Sequence, residues 1–309
     1  MAMKITLSTY EFLKKFPDEK SARIYLEQRR WKNGVICPCC GSVERIQTRK
    51  VVGYYRCLSC TSDFTVRTGT IFERSHVALD KWLYTMYLMA TSRKGISSLQ
   101  LSKEIGVTQK TAWFMLQRLR EACGNDKDFG LLSGIVEADE TYIGGKEANK
   151  HESKKLKAGR GAIGKIAVLG MRERGGNVKA TVLLDTKAET IQSELANTIC
   201  ASSVLCTDEH RSYIGVPNTH LVVNHSAKQF VDGMAHTNGI ESVWAVLKRG
   251  FYGVYHQFSE KHLQRYVDEV TYRLNEGNCK VHTIDRIDAL LRKTVGVRLT
   301  YANLIGATA

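Results

Sequence analysis

The chain has 309 residues, of which 43% are hydrophobic and 25% charged, and it carries a formal net charge of +14 at pH 7. This length allows two or three domains, and the composition excludes a disordered chain. We expect neither export nor a membrane span, because the sequence shows no secretory signal and no run of 18 apolar residues. The positive charge favours a polyanionic partner, with nucleic acid the first candidate and a membrane surface the weaker one.

Four of the nine cysteines form two C-x2-C pairs, Cys37 with Cys40 and Cys57 with Cys60. Sixteen residues separate the pairs, a spacing typical of a tetrahedral four-cysteine zinc site. The short β-prone runs between them predict a zinc ribbon holding one Zn²⁺. Cys39 could replace Cys40, and a redox pair or ordinary buried cysteines are the alternatives to zinc. A metal site suits a reducing compartment better than a disulfide framework does, so we expect a cytoplasmic protein.

Apolar residues recur at helical spacing over residues 79–92 and again over 97–123. Gly106 interrupts the second segment, and Thr108 can cap the helix that follows. Helix, glycine turn and capped helix form the helix-turn-helix pattern, although a plain three-helix packing unit is the alternative. The candidate DNA contacts on the second helix are Gln109, Lys110 and Thr111, with Trp113 and Arg118 as further candidates.

From Gly134 onward the pattern predicts three consecutive strands, a helix, two more strands and terminal helices, the order of an RNase H-like α/β domain. This order brings the ends of the first and fourth strands side by side. Asp139 and Asp208 each end a run of apolar and β-branched residues, and Glu241 stands near the start of a helix over about 238–251. The three carboxylates therefore predict a phosphoryl-transfer site with two Mg²⁺ or Mn²⁺ ions.

Each of these acids also has an ordinary explanation. A strand-end aspartate is often a turn former, and Glu241 is favoured at a helix start by the helix dipole. Glu137 and Glu140 flank Asp139, which leaves the register open, but strand alternation puts Glu137 and Asp139 on one face and Glu140 on the other.

Lys248 follows Glu241 by seven residues on the same helical face, and we expect it to contact a DNA phosphate unless it is simply solvated. Residues 146–165 carry seven Lys or Arg against two Glu. We interpret this segment as a DNA-phosphate clamp rather than a solvated loop, with these contacts: Lys150, Lys154, Lys155, Arg160 and Lys165. His225 and His236 are expected to be structural rather than ligands, and Trp244 to be a core residue.

The chain resembles bacterial insertion-sequence transposases of the DDE class, those with an ISXO-type transposase domain behind a transposase zinc ribbon. The resemblance covers about residues 10–280 and is carried by VEADETYIGGKEANKH, LCTDEHRSY and the long segment from HTNGIESVWAVLKRG onward. It implies that Asp139, Asp208 and Glu241 are the metal-binding triad and that Lys248 is the basic residue after it. One departure is that Asn275 is followed by Glu and not by Arg.

The resemblance implies a transposase that binds the terminal inverted repeats of an insertion sequence, cleaves at the element ends and transfers the 3′-hydroxyl strand to target DNA. It also implies a prokaryotic, nucleoid-associated protein that acts as at least a dimer, because two ends must be held together. A non-catalytic DNA-binding regulator and an RNase H-like nuclease without strand transfer are the alternatives. The predicted organisation is multidomain α/β: an N-terminal helical lead-in (1–30), a zinc ribbon (31–72), a helix-turn-helix segment (73–125), an RNase H-like catalytic domain (130–280) and a C-terminal tail (281–309).

Overall fold

The computed structural model describes residues 6–125, 129–145, 151, 153, 155, 164–223 and 236–306. It divides into two compact units, which we call the ribbon–helix unit (Met1–Asp126 with Glu276–Ala309) and the sheet unit (Lys127–Asn275). Within the described segments, no helix is both long and apolar enough to cross a membrane.

The described helices are, in chain order, α1 (Thr9–Lys15), α2 (Glu19–Arg30), α3 (Leu79–Thr91), α4 (Ser98–Ile105), α5 (Gln109–Cys123), α6 (Ala188–Thr198), α7 (Asn238–Gly250), α8 (Leu263–Glu276), α9 (Thr283–Lys293) and α10 (Tyr301–Ile305). The described strands are β1 (Ile46–Thr48), β2 (Tyr54–Cys57), β3 (Asp63–Thr65), β4 (Ile135–Ile143), β5 (Ile166–Glu173), β6 (Val178–Val182), β7 (Val204–Asp208) and β8 (Thr219–Val223). A 3₁₀ turn (Arg211–Tyr213) follows β7, and a π-helical turn (Phe251–Tyr255) follows α7.

The predicted ribbon is a three-stranded antiparallel sheet in the order β1-β2-β3. Trp31, at the end of α2, packs edge-on against Tyr55 and Phe64, with ring centroids 5.4 and 6.0 Å away. This small sheet therefore shares its apolar face with the helix before it, which adds packing that a ribbon of this size lacks by itself.

The helix, glycine turn and capped helix predicted for residues 97–123 are confirmed. Gly106 ends α4 in the left-handed region with φ of 62°, which suits a residue without a Cβ. Thr108 Oγ1 accepts a hydrogen bond from the Thr111 N–H at 3.2 Å and caps α5. The buried face of α5 carries Ala112, Met115, Leu116 and Leu119, as the spacing predicted.

Residues 281–309, expected to be a tail, instead contain α9 and α10, which pack in the ribbon–helix unit. Ile287 and Leu290 of α9 are completely buried, and Arg286 donates a hydrogen bond to the Ala90 carbonyl of α3 at 2.8 Å. The apolar residues of α9 recur every three or four positions, which gives the helix one apolar stripe that must be covered. This buried stripe is the reason that residues 281–309 are part of the packed unit and not a tail.

The sheet unit has five strands in the order β6-β5-β4-β7-β8. β4 pairs antiparallel with β5 and parallel with β7, while β6 and β8 extend the sheet at its two edges. If the five strands are numbered in chain order, their order across the sheet is 3-2-1-4-5, and strands 4 and 5 run parallel to strand 1. This arrangement confirms the predicted α/β class and brings the end of β7 beside the middle of β4. Asp139 therefore lies inside its strand, which continues to Ile143, and not at the strand end as expected.

Helices cover both faces of this sheet. On one face, α7 and α8 form a core in which Val243 and Leu247 lie against Val168 and Val178. On the other, residues of α6 such as Ile191 and Leu195 belong to a second core with the sheet. Because side chains alternate along a strand, each β4 residue faces one of these cores or the other, and this decides which acids can meet.

If α9 is part of the core, Leu290→Ala should lower the free energy of unfolding by about 2–5 kcal/mol, the usual cost of removing a buried leucine side chain. Chemical denaturation of the full chain measures this change. Val281→Ala, at a side chain that is 40% exposed in the same C-terminal segment, is the control and should have little effect. Equal, small effects of both substitutions would contradict the packing of α9.

Candidate active site and metal centre

The four cysteines of the ribbon meet in space, with all four Sγ atoms within 4.8 Å of one another. Cys37 and Cys60 are 3.6 Å apart, as are Cys40 and Cys57. These separations exceed a disulfide bond of about 2.05 Å, and they suit four ligands around one ion. Cys39 lies outside the cluster and is exposed, so Cys40 is the fourth cysteine of the group.

The two knuckles have the same backbone geometry. The Cys37 N–H donates to the Ser42 carbonyl and the Cys57 N–H to the Ser62 carbonyl, both at 2.9 Å. The residue after the second cysteine of each knuckle has a positive φ: Gly41 (75°) and Thr61 (60°). This repeated tight turn points both cysteines of each pair toward one centre.

Hydrogen bonds from the side chain and backbone of Ser62 lower the pKa of the Cys60 thiol to about 6. The pKa of Cys57 is also lowered, chiefly by a backbone hydrogen bond from Cys60. A lowered pKa favours the thiolate, which is the form of cysteine that binds metals. The pKa of Cys37 is raised, chiefly by burial, and that of Cys40 is raised by its contacts with the neighbouring thiols. Two of the four cysteines are therefore favoured as thiolates at neutral pH.

Asp139 and Asp208 lie side by side at the candidate active site. Glu137 of β4 stands opposite Cys206 of β7, and each aspartate lies two residues further along its strand. Burial first, and then the negative charges of Asp208 and Glu140, together raise the pKa of Asp139 to about 7. Asp208 also accepts a hydrogen bond from the His210 N–H at 3.0 Å, so it forms a turn as well as lying beside Asp139.

The Trp244 indole Nε1 donates a hydrogen bond to Asp139 Oδ2 at 2.9 Å. Trp244 is only 5% exposed and packs in the core, as its sequence context suggested, but sequence reasoning missed its bond to Asp139. Gly170 of β5, opposite Asp139 in the sheet, makes room for the ring: a Cβ there would lie 2.4 Å from a Trp244 carbon. The orientation of Asp139 thus depends on a glycine in the neighbouring strand.

Glu241 lies in the first turn of α7, which crosses the face of the sheet that carries Asp139. Its carboxylate is exposed, and Oε1 accepts a hydrogen bond from Thr237 Oγ1 at 3.0 Å. Among the described residues, the cysteine cluster is the one group of three or more potential metal ligands gathered within 4.8 Å. The structure therefore pairs the two aspartates and places Glu241 on the adjoining helix, without closing the three carboxylates into one cluster.

Glu137 holds the beginning of α7. It is 1% exposed, and its Oε2 accepts the Ile240 N–H at 3.0 Å. Its Oε1 lies 3.1 Å from Arg174 Nε and 3.2 Å from His236 Nδ1. A carboxylate at a helix start is favoured by the unpaired N–H groups there. Sequence reasoning noted Glu137 only as a neighbour of Asp139, and it treated His236 as structural, which agrees with this contact.

A second arginine secures the same turn of α7. Arg172 of β5 donates to the Gly239 carbonyl at 2.7 Å and to Ser242 Oγ at 2.8 Å. Arg174 also donates to the His236 carbonyl at 3.3 Å. The helix that carries Glu241 is thus fixed by side chains from β4, β5 and the turn after β5.

Glu140 faces the opposite side of the sheet, as strand alternation predicted. Burial raises the pKa of Glu140 and also raises that of the neighbouring Tyr213, whose shift is increased by the Glu140 charge. Tyr213 is the last residue of the 3₁₀ turn after β7 and is fully buried. Glu140 is therefore separated from α7 by its own strand, although its charge still reaches Asp139.

The candidate DNA contacts of α5 divide into exposed and buried residues. Gln109 and Lys110 are exposed; Gln109 bonds Ser98 Oγ at 2.8 Å, and Lys110 Nζ lies 4.9 Å from the Tyr301 ring. Thr111 is half-buried at the helix cap.

Arg118 does not point outward as expected. It is 8% exposed and donates to the carbonyls of Ile71 and Leu299 at 2.8 and 3.1 Å. A buried guanidinium must use its donors, and these loop carbonyls accept them. Arg118 is therefore a structural residue and not a DNA contact.

The basic segment is described only in part. Lys150, Lys154 and Arg160 lie outside the described residues, as does His225. Lys155 and Lys165 are half-buried, and Lys165 packs beside Gly144 at the end of β4. Lys248 is exposed in the last turn of α7.

Comparison with known proteins places these features in a family. Residues 131–275 match the ISXO2-like transposase domain, and residues 17–63 match the transposase zinc-ribbon domain. The matched ribbon begins earlier than the predicted boundary at residue 31 and includes α2. A protein of Halobacterium salinarum, described as an uncharacterised protein in transposable element ISH50, is 33% identical over 252 residues, covering 77% of this chain and 84% of that protein.

Two solved structures of the mariner transposase Mos1 also show similarity. Its paired-end complex with Mg is 14% identical over 70% of this chain and 79% of that one, with a TM-score of 0.27. Its strand transfer complex is 12% identical over 63% of this chain and 76% of that one, with a TM-score of 0.20. From the two domain matches and the 33% identity with the ISH50 protein over most of both lengths, the chain belongs to the ISXO2-like transposase family.

Proposed function

We propose that the protein is a DNA transposase that binds the inverted repeats of an insertion sequence, cleaves at its ends and transfers the 3′-hydroxyl strand to target DNA. The observation that carries this proposal is the adjacent pair Asp139 and Asp208 beneath the helix that bears Glu241. The family membership supports the general activity, while the joining step rests on this acidic site.

The donor set fits a hard divalent cation. Mg²⁺ and Mn²⁺ prefer carboxylate oxygens, and a bound cation would offset the burial and the Asp208 charge that raise the pKa of Asp139. Asp139, Asp208 and Glu241 would hold two such ions, which would supply Lewis-acid stabilisation of the phosphate when bound. The chain orients these ligands: Trp244 fixes one oxygen of Asp139, and Glu137 fixes the turn that carries Glu241.

Double-stranded DNA, both element end and target, is the proposed partner. Exposed Gln109 and Lys110 on α5, together with Thr111, would contact the element end. Lys248 and the basic segment, represented among the described residues by Lys155 and Lys165, would contact phosphates near the reacting bond. Holding two ends together would require at least a dimer.

Asp139→Asn should reduce cleavage of a plasmid carrying the element ends by at least about 10²-fold, because the metal site loses a charged ligand. End binding, measured by mobility shift, should be unchanged. Asp185→Asn, at a partly exposed acid after β6, is the control and should remain active. Full activity of Asp139→Asn would contradict the assignment.

The same assay separates the alternatives. Joined products in Mg²⁺ would exclude a nuclease that only hydrolyses, and nicking without joined products would favour one. End binding without cleavage by the unmodified protein would favour a regulator.

We further propose that the four-cysteine cluster holds one structural Zn²⁺. Metal analysis of freshly purified protein should give about one zinc per chain, and Cys40→Ser should lower this value because three thiolates bind zinc less tightly than four. Cys39→Ser is the matched control, since Cys39 lies outside the cluster. Well under one zinc per unmodified chain would contradict the proposal.

Glu137 is proposed as a positioning residue for Glu241. Glu137→Gln keeps an acceptor for the start of α7 but removes the charge that faces Arg174 and His236, so we expect the Mg²⁺ concentration for half-maximal cleavage to rise by about tenfold. End binding should not change. Cleavage titrated with Mg²⁺ measures the effect.

Glu269→Gln is the matched control for this prediction. Glu269 is also fully buried and pairs with Arg273 at 3.0 Å, but it lies in α8 and not in β4. We expect it to destabilise the sheet unit comparably while leaving the Mg²⁺ dependence unchanged. If Glu137→Gln and Glu269→Gln show the same Mg²⁺ dependence, Glu137 does not position Glu241.

A further inference from the structure

The ribbon–helix unit contains a cavity of about 380 Å³ between the end of α2, the loops around the ribbon and α9. Its inner wall is apolar and includes the buried side chains of Leu26, Trp31 and Phe72. Two apolar residues at its lining stay partly open to solvent, Ile36 at 39% and Val295 at 42%. The cavity is therefore accessible, and all of its lining residues belong to the ribbon–helix unit.

Four cations and a single acid line this cavity: Arg29, Arg30, Lys32 and Arg292, with Asp288. Arg29 pairs with Asp288 at 2.9 Å. Lys32 and Arg292 are exposed. The lining thus keeps a positive excess after its one acid is paired, which favours an anionic ligand.

Arg30 is the informative residue. Its guanidinium donates one hydrogen bond, to the Val66 carbonyl at 2.7 Å, and in the described part of the chain no carboxylate lies within ion-pair distance of it. Burial lowers the pKa of Arg30 below its ordinary value. Arg118, by contrast, donates to three carbonyls. A guanidinium has five N–H donors, and the one hydrogen bond of Arg30 goes to the Val66 carbonyl. A half-buried guanidinium of this kind beside an open cavity is suited to bind an anion.

The apolar wall favours a ligand that also has an apolar part. The Arg30 guanidinium carbon lies 5.3 Å from the centre of the Trp31 ring, so the charged and aromatic groups are adjacent. Pockets for small ligands start at about 300 Å³, so a cavity of about 380 Å³ admits one small ligand and excludes a double helix. An unstacked nucleotide combines a flat base with a phosphate and matches both parts of this cavity.

We propose that this cavity binds one unpaired nucleotide, with its base against the apolar wall and its phosphate at Arg30. The nucleotide would come either from an unpaired position in the bound DNA or from a free mononucleotide, since both present the same chemistry. Neither source requires the carboxylates or their metal, so the proposal does not depend on the catalytic one.

The test uses the full chain without Mg²⁺ and measures affinity for a fully paired duplex and for the same duplex with one unpaired 3′-terminal nucleotide. A deoxynucleoside monophosphate and inorganic phosphate are measured in parallel. We expect the unpaired nucleotide to strengthen duplex binding by about tenfold, the scale of one base-stacking contact.

Two variants, each with a matched control, locate the effect. Ile36→Trp fills the cavity without changing charge, and its control is Val43→Trp, at a ribbon position that is 59% exposed and outside the lining. Arg30→Gln removes the cation but keeps a donor for Val66, and its control is Lys20→Gln, an exposed cation on the same helix. Both cavity variants should lose the tenfold preference, and both controls should keep it.

If the protein prefers the duplex with the unpaired nucleotide, and Ile36→Trp abolishes that preference, DNA is the source of the nucleotide. Binding of the monophosphate that Ile36→Trp abolishes, without a duplex preference, would identify a free nucleotide. The proposal is overturned if neither ligand shows such binding, if the binding survives in Ile36→Trp, or if inorganic phosphate binds as tightly as the monophosphate. Should Arg30→Gln fail to fold, Ile36→Trp alone decides between these outcomes.

Discussion

The contact between the Glu137 carboxylate and the first turn of α7 is the constraint on which the candidate active site depends. A carboxylate that is 1% exposed would be strongly unfavourable alone, and removing one partner of such a buried pair typically costs about 3–5 kcal/mol. Here Glu137 is balanced by Arg174, by His236 and by the Ile240 N–H. Because Glu137 belongs to the same strand as Asp139, one strand both supplies a candidate metal ligand and fixes the helix that supplies another.

The pleat of β4 decides the role of each acid along it. Glu137 and Asp139 face α7, while Glu140 lies among the groups under the 3₁₀ turn beside Tyr213. Gly170 lets α7 pack closely on this face of the sheet. Any side chain at that position would displace the Trp244 ring and break its hydrogen bond to Asp139. The position of the acid pair is thus set by packing, because the two carboxylates repel each other and have no tendency to approach by themselves.

The features that the sequence predicted correctly are those with local causes. Cysteine spacing defines the ribbon, Gly106 and Thr108 define the turn before α5, and alternating apolar residues define the strands whose order brings Asp139 to Asp208. The features it missed depend on partners distant in the chain. Arg118 was expected to reach DNA, but its acceptors belong to two loops that a sequence pattern does not place. The apolar residues of α9 lie at helical spacing, but the residues that cover them, such as those of α3, lie far earlier in the chain.

The arginines show why a net charge of +14 is not a measure of the DNA-binding surface. Arg118, Arg172 and Arg174 all direct donors to backbone carbonyls inside their own units, where they join loops and the start of α7. Such arginines contribute to the net charge, yet their guanidinium groups are already engaged and have fewer donors left for a phosphate. In the proposed complex, the electrostatic attraction to DNA would therefore fall mainly to exposed cations such as Lys110 and Lys248, whose side chains can meet a phosphate without disrupting the fold. The half-buried Arg30, whose guanidinium donates one hydrogen bond, to the Val66 carbonyl, is the exception that marks a place where an anion is expected.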